Sequence, residues 1–327
     1  MRKFLNENYK TFIYSIVILI VLLYPMPYYI SNGGGIDDLN KKFSVENGYE
    51  SKGSFNLSYV TQLDATLSSY MLSYIVPNWE REEASLYQYT EEESMEDINN
   101  RGKLQLQRAN QNSVILAYTK AGKEITINSK DYYIAYIFNN NIKNLKVGDK
   151  LVSINDKTID DLELIREEVI NNETVKVTVL RNNKEYTEEV QTFIEDNIKY
   201  MGISFYEIYD YTVSPEINFS FDLNESGSSA GLMTTLAIYN ALIPEDLTHG
   251  KKIAGTGSIS LNGDVSEIGG VNYKLLGAVY GKADIFFVPK GDNFEECIKL
   301  KKEKNYDIEV VGVSTVDDAI NYLKNLK

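Results

Sequence analysis

The sequence predicts an α/β (α+β) C-terminal domain, preceded by a mostly β unit and an N-terminal transmembrane helix. Three observations carry this. A nearly uninterrupted apolar run covers Phe12–Ile30, short alternating strand patterns fill Lys123–Thr192, and strand-like and helix-like segments alternate from Tyr200 onwards. The organisation that follows is an N-terminus over 1–11, an anchor over 12–30, a linker and helical region over 31–122, the β unit over 123–195, and the C-terminal domain over 200–327.

The apolar run from Phe12 through Tyr24 to Ile30 carries no charge, close to the roughly 20 residues that span a bilayer. Arg2, Lys3 and Lys10 precede it against Glu7 alone, which puts the N-terminus in the cytoplasm and the rest of the chain outside the cell. Tyr24, Tyr28 and Tyr29 fit the outer interfacial belt. A cleavable signal peptide is the rival reading, and Tyr28-Tyr-Ile-Ser31 offers it a poor cleavage site. Ser31-Asn-Gly-Gly-Gly35 reads as a flexible joint. A short strand over Gly53–Val60 follows, then helical patterns over Gln62–Ile75 and Ser94–Ala121. The acidic run Glu91–Glu93 reads as a solvated turn before the second of these.

Composition narrows the function. A formal net charge of -14 argues against a nucleic-acid surface, because phosphate binding needs a basic stripe. The single cysteine, Cys297, excludes an intrachain disulfide and a multi-cysteine metal site, and its amphipathic surroundings mark it as a packing residue. The single histidine, His249, makes a serine–histidine mechanism the poorer bet and falls in a surface loop. No Gly-x-x-x-x-Gly-Lys-Ser/Thr loop is present, so nothing suggests ATP use. No cofactor and no metal are expected.

In the β unit, Tyr132–Phe138 is apolar and aromatic, and Leu145-Lys-Val-Gly-Asp149 feeds a strand ending near Asn155. Leu162–Val169 is a short helix, and Thr174–Leu180 and Glu185–Val190 are joined through Asn182-Asn183. The Leu145–Asp149 turn and the helix–strand order resemble a PDZ domain. That resemblance implies that an extended peptide adds to a sheet edge. A spacer that binds nothing is the plain alternative.

In the C-terminal domain a strand over Glu216–Phe221 leads into Glu225-Ser-Gly-Ser-Ser-Ala-Gly-Leu232. The apolar helix Ala230–Leu242 stops before Pro244. A hairpin turns at Asn262-Gly263, a helix covers Tyr273–Tyr280, strands cover Ile285–Val288 and Ile308–Val313, and Ser314-Thr-Val-Asp317 opens the last helix. Gly227 permits unusual backbone angles, and Ala230 and Gly231 keep the surroundings open. A serine here is either a helix cap or a nucleophile beside N–H groups able to hold an oxyanion. Lys274, in the first turn of its helix, faces the positive end of the dipole and sits among Leu275 and Leu276. Both effects favour the neutral amine, a usable base. A surface lysine is the alternative.

Taken in order, Gly227-Ser-Ser-Ala-Gly231, Ile253-Ala-Gly-Thr-Gly257, Asn262–Gly270, Lys274-Leu-Leu-Gly-Ala278 and Phe287-Val-Pro-Lys290 resemble the proteolytic domain of Lon-type proteases. With the anchor and the PDZ-like unit, the chain resembles the ATP-independent, membrane-anchored Lon-like proteins with PDZ domains of Gram-positive bacteria. The resemblance implies a serine endopeptidase acting on unfolded or flexible polypeptides, with Ser229 as nucleophile and Lys274 as general base. It implies that Thr256 orients the lysine, and that the domains assemble into a six-membered ring. Ser228 stands where the family usually has proline, so two hydroxyls adjoin, and only the register with Ala230-Gly231 selects Ser229. A catalytically idle scaffold that binds peptides or membrane-protein partners is the alternative from another class.

Overall fold

The computed structural model describes residues 2–88, 90, 93–220 and 227–326. Glu91, Glu92, Phe221, Glu225 and Ser226, which figure in the expectations above, lie outside the described residues.

Two sheets organise the chain. The first has six strands in the order Glu309–Val313, Ile285–Pro289, Lys252–Gly255, Ser54–Thr66, Pro25–Asp38, Glu80–Glu83. Its first four strands run parallel, and the last three are linked by antiparallel pairing. The segment Ile285-Phe-Phe-Val288 is buried on both faces, the continuous apolar run that parallel strands require. Side chains alternate across it: Ile285 and Phe287 enter one core, and Phe286 and Val288 enter another.

Helices cover both faces. In chain order the α-helices among the described residues are α1 (Arg2–Leu22), α2 (Leu67–Leu72), α3 (Met95–Lys120), α4 (Leu162–Asn171), α5 (Gly231–Leu242), α6 (Val271–Tyr280), α7 (Asp292–Lys304) and α8 (Val316–Lys324). The core on one face joins α3, α5 and α8. Helix α5 is apolar on all sides because it is enclosed on all sides, with every residue but Ala241 buried. Helices α6 and α7 supply the other core, where Cys297 is fully buried as a packing residue.

The second sheet runs Ile203–Ser214, Glu124–Ile137, Lys150–Ile154, Thr174–Arg181, Lys184–Gln191, with α4 completing its core. The turn Leu145–Asp149 has a local structural cause. Gly148 takes φ +97°, and the buried Asp149 carboxylate accepts the Lys146 N–H at 2.8 Å and two bonds from Arg181 at 2.6 and 2.7 Å.

Several expectations need correction. The apolar run over 12–30 is not one helix. Helix α1 ends at Leu22, and Pro25, which cannot continue it, opens a strand. Tyr29 and Ile30 are then buried in the sheet, and the Tyr28 ring lies 4.9 Å from that of Tyr70. These residues meet protein where a lipid interface was expected. Among the described residues no helix is long and apolar enough to cross a membrane.

The segment 31–122 holds the helix expected over Ser94–Ala121, as α3, but the rest of it is more than a linker. Its residues supply strands at the centre of the first sheet, and the expected flexible joint at Gly33–Gly35 is strand. A Cβ at Gly33 would lie 3.0 Å from the Tyr273 carbonyl oxygen and 3.1 Å from Leu276, so glycine here lets α6 approach the backbone. The expected helix over Gln62–Ile75 shrinks to α2, because strand pairing continues to Thr66, which caps that helix. Glu93 is not solvated: it pairs with Arg101, and both side chains are buried. The cap of α8 is Thr315 with Asp318, one residue later than the sequence suggested.

Candidate active site

The serine turn precedes α5. Gly227 takes φ +93° with open space around its α-carbon, so glycine is needed there for backbone conformation. The helix cap is Ala230, with no side-chain cap bond. Neither serine is therefore an N-cap, and that reading of the turn fails. The Ser228 hydroxyl meets Ser258 Oγ at 2.8 Å. The Ser229 hydroxyl has no hydrogen-bond partner among the described residues.

The chain following strand Lys252–Gly255 holds the turn in place. The Ser229 carbonyl accepts the Gly257 N–H at 2.9 Å and the Thr256 hydroxyl at 3.3 Å. The Gly257 carbonyl in turn accepts the Leu232 N–H at 2.9 Å. The Gly255 neighbour across the sheet is Leu57. The next residue, Ser58, donates its hydroxyl proton to the Lys274 carbonyl. Ser229, Thr256 and the helix carrying Lys274 thus share one end of the sheet.

Lys274 follows Gly270, which caps α6 in the left-handed region at φ +66°. The lysine is only 7 % exposed, and burial lowers its pKa from 10.5 to about 8. Among the described residues it has no carboxylate partner. Glu80 and Glu82 instead accept from the hydroxyl of adjacent Tyr273, at 2.9 and 3.1 Å. No hydrogen bond joins Ser229 Oγ to Lys274 Nζ among the described residues, and none joins Thr256 to Lys274. The threonine hydroxyl donates to the serine carbonyl.

Other candidates lie elsewhere. His249 is exposed and meets the Leu323 carbonyl at 3.0 Å, at the end of α8. A cleft of about 490 Å³ lies between α3 and the second sheet, lined by Asn100, Lys103, Tyr133 and Asn182 among others. It contains none of the serine-turn residues. No cluster of three or more histidine, cysteine, aspartate or glutamate side chains among the described residues could hold a metal. Sequence reasoning missed Ser258 and the buried polar residues Gln111, Asn112 and Ser113 of α3. The unbroken polar run preceding Val114-Ile-Leu-Ala-Tyr118 carries no signal that separates them from an exposed helix face.

Residues 222–325, a stretch that holds the serine turn, Thr256 and Lys274, match the Lon protease (S16) C-terminal proteolytic domain. Among curated relatives, a Lon protease of Azospirillum brasilense is 34% identical over 98 residues, covering 30% of this chain and 12% of that protein. One of Malacoplasma penetrans is 30% identical over 157 residues, covering 45% and 19%. An archaeal Lon protease of Halobacterium salinarum is 30% identical over 95 residues, covering 29% and 13%. The chain thus spans less than a fifth of the length of each of these relatives. Among solved structures, the PDZ domain of the SdrC-like protein from Listeria monocytogenes aligns with 25% of this chain and 92% of its own. The identity is 13% and the TM-score 0.21.

Proposed function

We propose that the chain is a membrane-held serine endopeptidase that needs no ATP and acts on unfolded or flexible polypeptides outside the cell. The observation that carries this is the presence of two unengaged groups on elements that meet at one end of the sheet. One is a serine hydroxyl free of capping duty, and the other is a buried lysine whose pKa falls to about 8 with no carboxylate partner among the described residues. A lysine with an acidic partner would stay charged; this one gives up its proton around pH 8.

The chemistry then follows the proton. Ser229 Oγ attacks the scissile carbonyl carbon while its proton passes to neutral Lys274 Nζ. The N–H groups of Ser229 and Ala230, which find no acceptor among the described residues, are the donors available to the oxyanion. Collapse breaks the C–N bond, and the Lys274 ammonium returns the proton to the leaving amine. Water, deprotonated by the same lysine, then releases the acyl group. Thr256 acts on the turn by fixing the Ser229 carbonyl. The second sheet takes a peptide at an open strand edge.

The exposed apolar residues of α1 and its end, Phe12–Tyr24, support membrane attachment, because few soluble surfaces leave such a run uncovered. One observation favours the idle-scaffold reading, namely that Ser229 and Lys274 are not hydrogen-bonded. Catalytic contacts commonly tighten only with substrate bound, so the endopeptidase reading stands ahead of it.

The test uses the full chain extracted from membranes, without nucleotide. It is expected to cut a permanently unfolded polypeptide at least tenfold faster than its disulfide-locked folded form, and to stay with the membrane through a carbonate wash. No cleavage without nucleotide sinks the protease reading, and release by carbonate sinks the tether.

A further inference from the structure

The serine turn is held from behind by one helix that also grips the second sheet. At the start of the turn the Gly227 N–H donates to the Gly102 carbonyl of α3 at 2.9 Å. At its end the Ser113 hydroxyl, fully buried, lies 3.0 Å from the Gly231 carbonyl oxygen and 2.8 Å from that of Ala109, which share its proton. Between them Asn112 donates to the Ile259 carbonyl at 3.2 Å. Ile259 follows Ser258, the partner of the Ser228 hydroxyl, and a Cβ on Gly231 would collide with Ile259 at 2.6 Å. The turn and its support are packed against each other with no slack.

The neighbouring residue reaches the other way. Gln111 is 3 % exposed. Its side-chain amide donates to the Glu207 carbonyl and accepts from the Tyr209 N–H, both at 2.9 Å. Strand Ile203–Ser214 is an edge strand, and the amide imitates a peptide group of the strand that is missing there. A buried two-point contact of this kind fixes position as well as adding stability, since losing it leaves both backbone groups unsatisfied.

We propose that Gln111, Asn112 and Ser113 are positioning residues for Ser229, and that through Gln111 the alignment of the nucleophile depends on the edge strand of the second sheet. This rests on Ser229 being the nucleophile. The three residues touch no substrate atom; they set where the hydroxyl sits, and a small misplacement of a reacting group is costly in rate.

The experiment compares the full-length wild type with Ser113→Ala, Gln111→Met, the double variant and Thr119→Ala, an exposed position on the same helix. It measures kcat and KM on an unstructured peptide and the rate of labelling by a fluorophosphonate. Ser113→Ala and Gln111→Met are each expected to lose about tenfold in kcat and in labelling rate, with KM within about twofold. The double variant is expected to lose less than the product of the two losses, because both act through one helix. Thr119→Ala is expected to behave as wild type. Unchanged kcat in folded Ser113→Ala and Gln111→Met overturns the proposal while leaving Ser229 as nucleophile. If Gln111→Met fails to fold, Gln111→Glu decides, since it keeps the acceptor for Tyr209 and loses the donor to Glu207. A fall in kcat then supports the proposal and wild-type kcat overturns it. A wild type that neither cleaves nor labels overturns the catalytic reading, and this proposal with it.

Discussion

Ser229→Ala is expected to abolish peptide cleavage, by a factor on the order of 10⁴ or more, while the fold survives. The substitution removes one hydroxyl that has no hydrogen-bond partner among the described residues, so thermal stability is expected to change little. Ser228→Ala is expected to keep most of the activity. Its hydroxyl meets Ser258 Oγ at 2.8 Å and is spent on structure. Losing that bond costs about 1 kcal/mol of stability. The two neighbouring serines therefore separate by opposite signatures, one in rate and one in stability. Peptide hydrolysis and thermal unfolding measured on both variants check this. Equal activity in Ser229→Ala and wild type would remove the nucleophile from the account.

Lys274→Met is expected to be inactive and more stable. With the lysine pKa at about 8, about a tenth of the molecules carry the neutral base at pH 7. The rate of the wild type is therefore expected to rise about tenfold per pH unit below 8 and to level off above it. The stability effect has the opposite origin. The folded pKa lies below the unfolded value of 10.5, so between about pH 8 and 10.5 the unfolded chain binds a proton that the folded chain does not. Stability rises with pH across that window. Below it the buried charge costs about 3 kcal/mol. Methionine fills a similar volume without the charge, so it is expected to recover up to that amount at neutral pH. Denaturant titrations at pH 7 and pH 10, with the difference between variants shrinking at the higher pH, check this. A flat pH–rate profile through pH 6–9 would take the base role from Lys274.

The sequence made the site legible where local chemistry is sufficient. Gly227 at positive φ, the adjacent serines, and the lysine drawn into an apolar helix start all follow from residue types within a few positions of one another. What it concealed depends on distant pairing. Gly33–Gly35 looks like a hinge because glycine frees a chain in isolation. Only the approach of α6 to Gly33 and of the Tyr59 ring to Gly34 and Gly35 shows that the missing side chains serve packing. Pro25 marked the end of a helix, yet the apolar residues after it fit a lipid interface and a buried strand equally well. Gln111 to Ser113 are polar residues in a helix, and their burial arises because an edge strand of the second sheet and the start of α5 both meet them. Periodicity along one element cannot register a partner that lies about a hundred residues away in the chain.

The most direct measurement is the mass of the fluorophosphonate-labelled peptide from the full-length chain. The account predicts one adduct, carried by Ser229, formed with a rate that rises through pH 8 and lost in Lys274→Met. An adduct on Ser228, or full peptide cleavage in a chain whose Ser229 stays unlabelled, would contradict it.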